Sequence, residues 1–236
     1  MDMREENRLL LKLYASLCVA DVQWGMEKMG YKGYGHLRSD IRLVSPDAGH
    51  RICGIARTAR YLPFEGPLPD LAGMTFAEWA DDYLHTIATY AWIDEIEEGE
   101  ILVVDLSGVE ACVMDTDHWN TCLKKGAKGL VTNGGGIWKA DPESLMRWPV
   151  WCRPGYSAWP LGSIRFMEAN NPVALGGVAI YPGDVIVADP DGVISVPRKA
   201  ARTVAERALS DEPDEPNIFD PDDDPFFTPD RYRTDD

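Results

Sequence analysis

The sequence predicts an α/β protein that consists of one domain and an acidic tail. Residues 5–29 carry apolar side chains at helical spacing. The run from Ile101 to Val104 is apolar at every position, as in a strand that is buried on both faces. Between residues 173 and 196, short apolar segments alternate with Pro-Gly and Pro-Asp-Gly turns, which favours successive short strands. We therefore expect a single domain over residues 1–209 and a tail over residues 210–236.

Local signals place the other elements. In chain order they are a second helix capped by Asp21, a strand over residues 51–61, a helix from the Thr75–Glu78 capping box to about Trp92, strands over residues 130–132 and 147–153, strands at 173–180, 184–188 and 192–196, and a last helix from Pro197 to about Leu209.

The net charge of −16 is unevenly distributed. Residues 211–236 contain eleven Asp or Glu and two Arg, and so carry about −9 of that charge. An acidic balance argues against nucleic-acid binding, which needs Lys and Arg to neutralise phosphates, and against an anionic membrane surface. The proline-rich acidic tail is typical of a disordered, solvated segment. Its two apolar pairs, Ile218-Phe219 and Phe226-Phe227, leave open that it docks on a neighbouring surface such as another subunit.

The cysteines and the first residues favour a cytoplasmic protein. The five cysteines form no C-x-x-C pair, and an odd number in a chain of 236 residues is typical of reduced thiols. The first ten residues, MDMREENRLL, carry charges where a signal peptide needs an apolar run. The sequence contains no run of eighteen apolar residues, which is the length that would predict a membrane span.

The segment from Glu110 to Pro142 holds the candidate chemical groups. It is expected to form a turn, a helix, a buried strand and a glycine turn, which brings side chains from both ends of the strand–helix pair to one rim. Those side chains are Asp115, Asp117, His118, Lys139 and Asp141. Carboxylates with waters and substrate oxygens suit Mg²⁺. As alternatives, Asp115 or Asp117 serves only as a helix N-cap, Gly134-Gly-Gly is only a tight turn, and His118 and Cys112 are structural.

The C-terminal string from Pro182 to Pro197, with the pattern PGD…VADPDGV…VP, closely resembles the end of the RraA-like family. That family includes the regulator of ribonuclease E activity and the class II 4-hydroxy-4-methyl-2-oxoglutarate/4-carboxy-4-hydroxy-2-oxoadipate aldolases. Ala20-Asp21, residues 51–58 and residues 98–105 are similar to further family segments. The resemblance covers about residues 10 to 209.

The resemblance implies an αββα sandwich of the swivelling-domain type, assembled as homotrimers or hexamers with sites between subunits. In the aldolases, backbone amides before a helix hold the pyruvyl carboxylate of a small-molecule substrate. In these enzymes an acid is followed by a spacer of twenty residues and then by an Arg-Asp pair. The Arg stabilises the developing negative charge, and the Asp reaches Mg²⁺ or Mn²⁺.

The Arg-Asp pair is replaced in this chain. After the spacer of twenty residues that follows Asp117 stand Trp138 and Lys139, and counting from Asn133-Gly134 gives Ile137 and Trp138. A register with one inserted residue gives Lys139 for the arginine and Asp141 for the aspartate, which preserves both charges. Lysine is a point charge without the bidentate fork of arginine, so an altered substrate geometry is expected.

The resemblance and these residues together predict a divergent lyase that forms an enolate from a small 2-oxo or related carboxylic acid. Asp117 and Asp141 would hold Mg²⁺ or Mn²⁺, and Lys139, with Asp117 and His118, would be catalytic. The predicted substrate-binding residues are Val113, Met114, Asp115, Asn133, Gly134, Trp138 and Arg153. The alternatives are a metal-independent enzyme that uses Lys139, His118 or Cys112 as acid or base, and a binding or regulatory protein without catalysis.

Overall fold

The structure is a computed structural model that describes residues 2–45, 49–66, 73–155 and 158–210. The predictions for the tail beyond Ser210, including its two apolar pairs, lie outside the described residues. The helices are α1 (Met3–Tyr14), α2 (Val19–Glu27), α3 (Phe76–Thr86), α4 (Thr116–Lys124), α5 (Pro142–Arg147) and α6 (Arg198–Leu209), with a 3-10 helix at Ala91–Glu95. The strands are β1 (Arg42–Leu43), β2 (Ile52–Pro63), β3 (Glu100–Asp105), β4 (Met114–Asp115), β5 (Gly129–Thr132), β6 (Ile137–Trp138), β7 (Val150–Cys152), β8 (Ile164–Ala169), β9 (Val173–Leu175), β10 (Val178–Ile180), β11 (Val185–Asp189) and β12 (Gly192–Val196).

One mixed sheet organises these elements, in the order β1-β7-β5-β3-β2-β11-β12, with β8 paired to the second half of β2. Strands β2, β3, β5 and β7 are parallel to one another, and the pairs β1–β7, β2–β11 and β11–β12 are antiparallel. A backbone bridge between His36 and Ile194 brings the segment before β1 against β12 at the opposite edge. The sheet is therefore nearly closed into a barrel-like layer, and the predicted α/β class is confirmed.

Strand β3 is buried along its whole length because both faces of the sheet are covered. Leu102 and Val104 pack into a cluster that includes side chains of α3 and α4. Ile101 and Val103 point to the other face, where they join side chains of β9, β10 and β11. Burial of each such side chain contributes about 1.5–3 kcal/mol. The uniform apolar run in the sequence therefore has its physical cause in this two-sided burial.

A third cluster forms where α1, α2 and α6 cover β11 and β12. Helix α2 and helix α6 approach closely, since a Cβ atom at Gly25 would lie 2.5 Å from the carbonyl oxygen of Val204. Asp21 lies at the third position of α2 instead of at its N-cap, and its Oδ2 accepts a hydrogen bond from the amide of Cys18 at 2.8 Å. The break between the two predicted helices thus falls at residues 15–18.

Three other predictions of secondary structure differ from the structure. The Thr75–Glu78 capping box is present, but α3 ends at Thr86, and the carbonyl of Ile87 accepts a hydrogen bond from Phe166 of β8. The strand expected over residues 173–180 is a hairpin of β9 and β10, because Gly176 and Gly177 adopt positive φ angles of 59° and 85° and reverse the chain. Helix α5 precedes β7 where only a strand was expected.

None of the helices in the described part of the chain combines the length and the hydropathy needed to cross a bilayer.

We expect Tyr61→Phe to lower the free energy of unfolding by about 1–3 kcal/mol, because it leaves a buried donor unpaired. The Tyr61 hydroxyl is buried, donates to the carbonyl of Thr89 at 2.9 Å and accepts from Trp92 Nε1 at 2.9 Å. Urea unfolding measures the change. Tyr181→Phe is the control, since Tyr181 is 54% exposed. Equal stabilities of the two variants would contradict this account of the Tyr61–Trp92 pair.

Candidate functional site

The site lies beyond the carboxyl ends of β3 and β5, which Asn133 fastens together. Its Nδ2 donates to Asp105 Oδ1 at 2.8 Å, and its Oδ1 accepts from the Leu106 amide at 2.8 Å. Asp105 Oδ1 also accepts from the Ser107 amide at 2.7 Å. Both ends of the Asn133 side chain therefore make hydrogen bonds that hold the framework of the site. Its role in substrate binding stays a prediction.

Two short strands carry the candidate residues. Strand β4 runs parallel to β6, with Met114 beside Ile137 and Asp115 beside Trp138. The amide of Val113 donates to the carbonyl of Gly136 at 2.7 Å, so it is committed to this pairing. The side chain of Met114 is fully buried. Of the predicted substrate-binding residues Val113, Met114 and Asp115, only Asp115 thus brings a polar side chain to the rim.

Asp115 is the N-cap of α4. Its Oδ1 accepts from the amides of Asp117 at 3.0 Å and His118 at 2.9 Å, and from His118 Nδ1 at 2.8 Å. Burial alone would raise the pKa of Asp115, but these hydrogen bonds outweigh it and hold the pKa below its usual value. An ionised carboxylate fixes the Nδ1–H tautomer of His118. The other ring nitrogen, Nε2, is then a proton acceptor when the ring is neutral.

The ring of His118 is held by packing as well as by this hydrogen bond. It lies against Tyr90, with 4.4 Å between ring centroids, and the Tyr90 hydroxyl donates to the carbonyl of Val113 at 2.6 Å. The His118 side chain is 32% exposed, so solvent or a ligand reaches it. Nε2 makes no hydrogen bond to any residue that the structure describes. Asp115 and His118 thus form an oriented pair with one nitrogen available for proton transfer.

The two predicted metal ligands lie at the beginnings of different helices. Asp117 is exposed in the first turn of α4. Asp141 caps α5, where its Oδ1 accepts from the amide of Ser144 at 2.9 Å and its Oδ2 from the Ser144 hydroxyl at 2.7 Å. These hydrogen bonds lower the pKa of Asp141. No group of three or more His, Cys, Asp or Glu suited to a metal occurs in the four described ranges. Mg²⁺ or Mn²⁺ as a cofactor of this site therefore stays a prediction.

A cleft of about 240 Å³ opens beside β6. Trp138 forms one wall and stacks in parallel on Trp159, with 4.6 Å between centroids and 3° between planes. Lys139 Nζ lies 4.3 Å from the centroid of the Trp138 ring. The backbone of Lys139 has a positive φ of 58°, an unfavourable conformation for a residue with a Cβ, and it directs this exposed side chain to the cleft.

Gly134 and Arg153 are engaged elsewhere. A Cβ atom at Gly134 would lie 2.8 Å from the carbonyl oxygen of Ala111, and the Gly134 amide donates to Thr132 Oγ1 at 3.0 Å. Gly134 is therefore needed for close packing. Arg153 Nε lies 3.2 Å from Asp40 Oδ2, so this predicted carboxylate anchor is paired.

The structure thus brings Asp115 and His118 into contact. Trp138 lies on the adjoining strand β6, and Lys139 directly follows that strand. Asn133, Gly134 and Arg153 make the contacts described above, and their roles in substrate binding stay predictions. Sequence reasoning did not find Cys152 and Leu145, which line the cleft. Their apolar character in a strand and a short helix is indistinguishable from that of core residues. Trp159 is the stacking partner of Trp138.

We expect Asp115→Ala to lower the free energy of unfolding at pH 7 by about 1–2 kcal/mol, the usual effect of losing an N-cap. The folded-state pKa of Asp115 is lowered, so its stabilisation is complete above the unfolded-state pKa of about 4 and is lost as the pH falls through the folded-state value. The difference between wild type and variant should therefore shrink below about pH 4. Urea unfolding between pH 7 and pH 3 measures it.

Asp117→Ala is the matched control, because this neighbouring carboxylate is exposed and makes no cap. A loss in Asp117→Ala equal to that in Asp115→Ala, or a difference that does not depend on pH, would contradict the assignment.

Three comparisons with known proteins agree with this architecture. Residues 17–195 match the RraA-like family, described as Aldolase/RraA. The chain is 30% identical to protein DlpA of Legionella pneumophila over 167 residues, which are 69% of this chain and 24% of DlpA. It is 29% identical to a putative 4-hydroxy-4-methyl-2-oxoglutarate aldolase of Halalkalibacterium halodurans over 122 residues, 51% of this chain and 57% of that protein. The chain thus spans less than two thirds of the length of either curated relative.

The crystal structure of Streptomyces coelicolor RraAS2, an unusual member of the RNase ES inhibitor RraA protein family, has the same fold. Its TM-score is 0.66 at 23% identity, over 85% of this chain and 90% of that chain. The family match covers most of the sequence and includes every element of the central sheet except the end of β12. The chain belongs to the RraA-like family.

Proposed function

We propose that the chain is an enolate-forming lyase that acts on a small 2-oxo acid. The Asp115–His118 pair would move the proton, and Lys139 would stabilise the developing negative charge. The observation that carries the proposal is the hydrogen bond of 2.8 Å between Asp115 Oδ1 and His118 Nδ1. Asp115 lies on β4, beside Trp138 of β6. Membership of the Aldolase/RraA family and the similarity to a putative aldolase support the reaction class.

The reaction that fits these groups is cleavage of a 4-hydroxy-2-oxo acid. His118 Nε2 accepts the proton of the C4 hydroxyl, the C4–O bond becomes a carbonyl, and the C3–C4 bond breaks. Its electron pair passes to C3 and the C2 carbonyl oxygen, which forms the enolate of pyruvate. The protonated His118 then returns the proton to C3. A positioned acid or base of this kind contributes about 10²–10⁴-fold to a rate.

In this proposal Lys139 supplies the positive charge that stabilises the enolate. Its ammonium group is held over the Trp138 ring, and the attraction between a cation and an aromatic face limits its freedom. A fixed positive charge where an oxyanion develops lowers the barrier. The proton transfer by His118 and the positive charge of Lys139 complete this reaction, so no step of this mechanism uses Mg²⁺ or Mn²⁺. This corresponds to the metal-independent alternative from the sequence.

A second candidate function is binding or regulation without catalysis. It is favoured by one observation: the carboxylate of Asp115 occupies the amides of Asp117 and His118 at the start of α4. The resemblance places the pyruvyl carboxylate of the aldolases on amides before a helix. If those amides are required in this chain, its own side chain blocks them. Pyruvate release discriminates between the two candidates.

We expect His118→Ala to reduce kcat for pyruvate release by about 100-fold or more, because the proton acceptor is lost. The assay couples pyruvate to its reduction and uses oxaloacetate and a series of 4-hydroxy-2-oxo acids that differ at C4, with and without EDTA. The control is His85→Ala, since His85 is an exposed residue of α3. Activity that disappears with EDTA would overturn the metal-independent mechanism. An absence of pyruvate with every substrate would favour the binding protein.

We also propose that the chain forms a homotrimer or hexamer in the cytoplasm, as the family resemblance implies. Sedimentation equilibrium should give three or six times the chain mass of 26.3 kDa. A monomer at micromolar concentration would contradict the assembly.

A further inference from the structure

The charge of the cleft beside β6 differs from what a substrate with two carboxylates requires. Its described lining residues are Val44, Cys112, Gly135, Ile137, Trp138, Lys139, Ala140, Leu145, Cys152, Pro154 and Gly155. Lys139 is the only charged residue among them. The other described residues of the wall are apolar or weakly polar, so among them a single anionic group has a charged partner and a second one has none.

The two thiols in the wall add no charge. Cys112 and Cys152 are buried, and burial raises the pKa of Cys112 to about 11 and that of Cys152 to about 12. Both therefore remain neutral at pH 7. A neutral, buried thiol behaves as a small apolar group. The inner end of the cleft is thus suited to an apolar part of a ligand.

Arg153, another cation beside the cleft, is engaged in an ion pair. Arg153 precedes the lining residues Pro154 and Gly155, and its Nε lies 3.2 Å from Asp40 Oδ2. Asp40 in turn lies 3.8 Å from Arg38 Nε. An anionic ligand group that recruited Arg153 would have to replace the Asp40 contact. The pairing lowers the gain from such a contact and leaves Lys139 as the cation that faces the cleft.

The shape of the wall favours a planar group. Trp138 gives the cleft an aromatic wall, and its parallel stack on Trp159 holds this ring rigid. The volume of about 240 Å³ exceeds the roughly 150 Å³ of a dry cavity that binds benzene, and leaves room for a short acid chain. A ring of six atoms with a 2-oxo acid attached therefore fits this space.

From this lining we infer the substrate class of the proposed site: a monocarboxylic 4-hydroxy-2-oxo acid with a planar, apolar group at C4. Its carboxylate and the adjacent C2 oxygen would lie at Lys139, and its planar group between Leu145 and Cys152. Cleavage would release pyruvate and an apolar, aromatic-type aldehyde. The inference rests on the proposed function for its reaction, but the ligand preference is measurable without turnover.

The test compares two stable ligands that share the 2-oxo acid and lack the C4 hydroxyl, so that neither is cleaved by the proposed reaction. They are 2-oxo-4-phenylbutanoate and 2-oxoadipate, which carries a carboxymethyl group in place of the phenyl group. By isothermal titration calorimetry we expect the phenyl compound to bind at least about tenfold more tightly, a difference of about 1.4 kcal/mol. Equal or tighter binding of 2-oxoadipate, or no binding of either ligand, overturns the inference.

Two variants connect the preference to this cleft. Lys139→Gln should weaken binding of 2-oxo-4-phenylbutanoate by about tenfold or more, because the carboxylate loses its partner. Lys199→Gln, an exposed lysine of α6, should leave the affinity unchanged. Leu145→Arg should shift the preference toward 2-oxoadipate, because it adds a second cation to the wall. Thermal unfolding verifies that each variant is folded. A preference that survives in folded Leu145→Arg overturns the assignment to this cleft.

The two proposals fail in distinguishable ways. Tight binding of the phenyl compound without pyruvate release from any 4-hydroxy-2-oxo acid would overturn the lyase and leave the ligand class in place. Pyruvate release with no preference between apolar and carboxylate groups at C4 would overturn the ligand class and leave the lyase in place.

Discussion

The arrangement of the site depends on the pairing of β4 with β6. These two-residue strands align Asp115 with Trp138, although the residues are 23 positions apart in the chain. The amide of Gly135 donates to the carbonyl of Ala111 at 2.8 Å and extends the contact beyond the strands. Gly134 permits this approach because a Cβ atom there would collide with Leu106. One small ladder thus fixes the start of α4 and the wall of the cleft relative to each other.

The charged groups of the site differ in the contacts that they make. Asp115 and Asp141 are both engaged as N-caps, and each carboxylate accepts at least two hydrogen bonds from its own helix. Lys139 has no carboxylate partner among the described residues and rests on the Trp138 ring. The site therefore offers one positive charge, an oriented histidine and a largely apolar wall. Such a site is suited to a ligand with one negative charge.

The sequence predicted those parts of the fold that depend on local patterns. The buried strand β3, the capping box of α3 and the proline at the start of α6 are each visible in a few consecutive residues. Helix α5 was missed because its six residues are too few to show helical periodicity. The hairpin of β9 and β10 was taken as one strand, although Gly176-Gly177 between two apolar runs is a local hairpin signal.

The candidate site was located by sequence, but the roles of its carboxylates were not decided there. An aspartate before a helix has the same one-letter pattern whether it caps the helix or binds a ligand, and only its hydrogen bonds distinguish the two. The position of Lys139 depended on a register that periodicity does not fix. Cys152 and Leu145 carry no sequence signal of a binding role, because a cleft wall and a hydrophobic core use the same side chains.

The most direct measurement of the central claim, that Lys139 and the wall beside it form the ligand site, is a crystal structure with 4-(4-bromophenyl)-2-oxobutanoate. Anomalous scattering locates the bromine independently of the surrounding density. We predict a bromine peak between Leu145 and Cys152, with the ligand carboxylate about 2.7–3.2 Å from Lys139 Nζ. A bromine peak outside this cleft, or a cleft filled by side chains of a neighbouring subunit, would contradict the account.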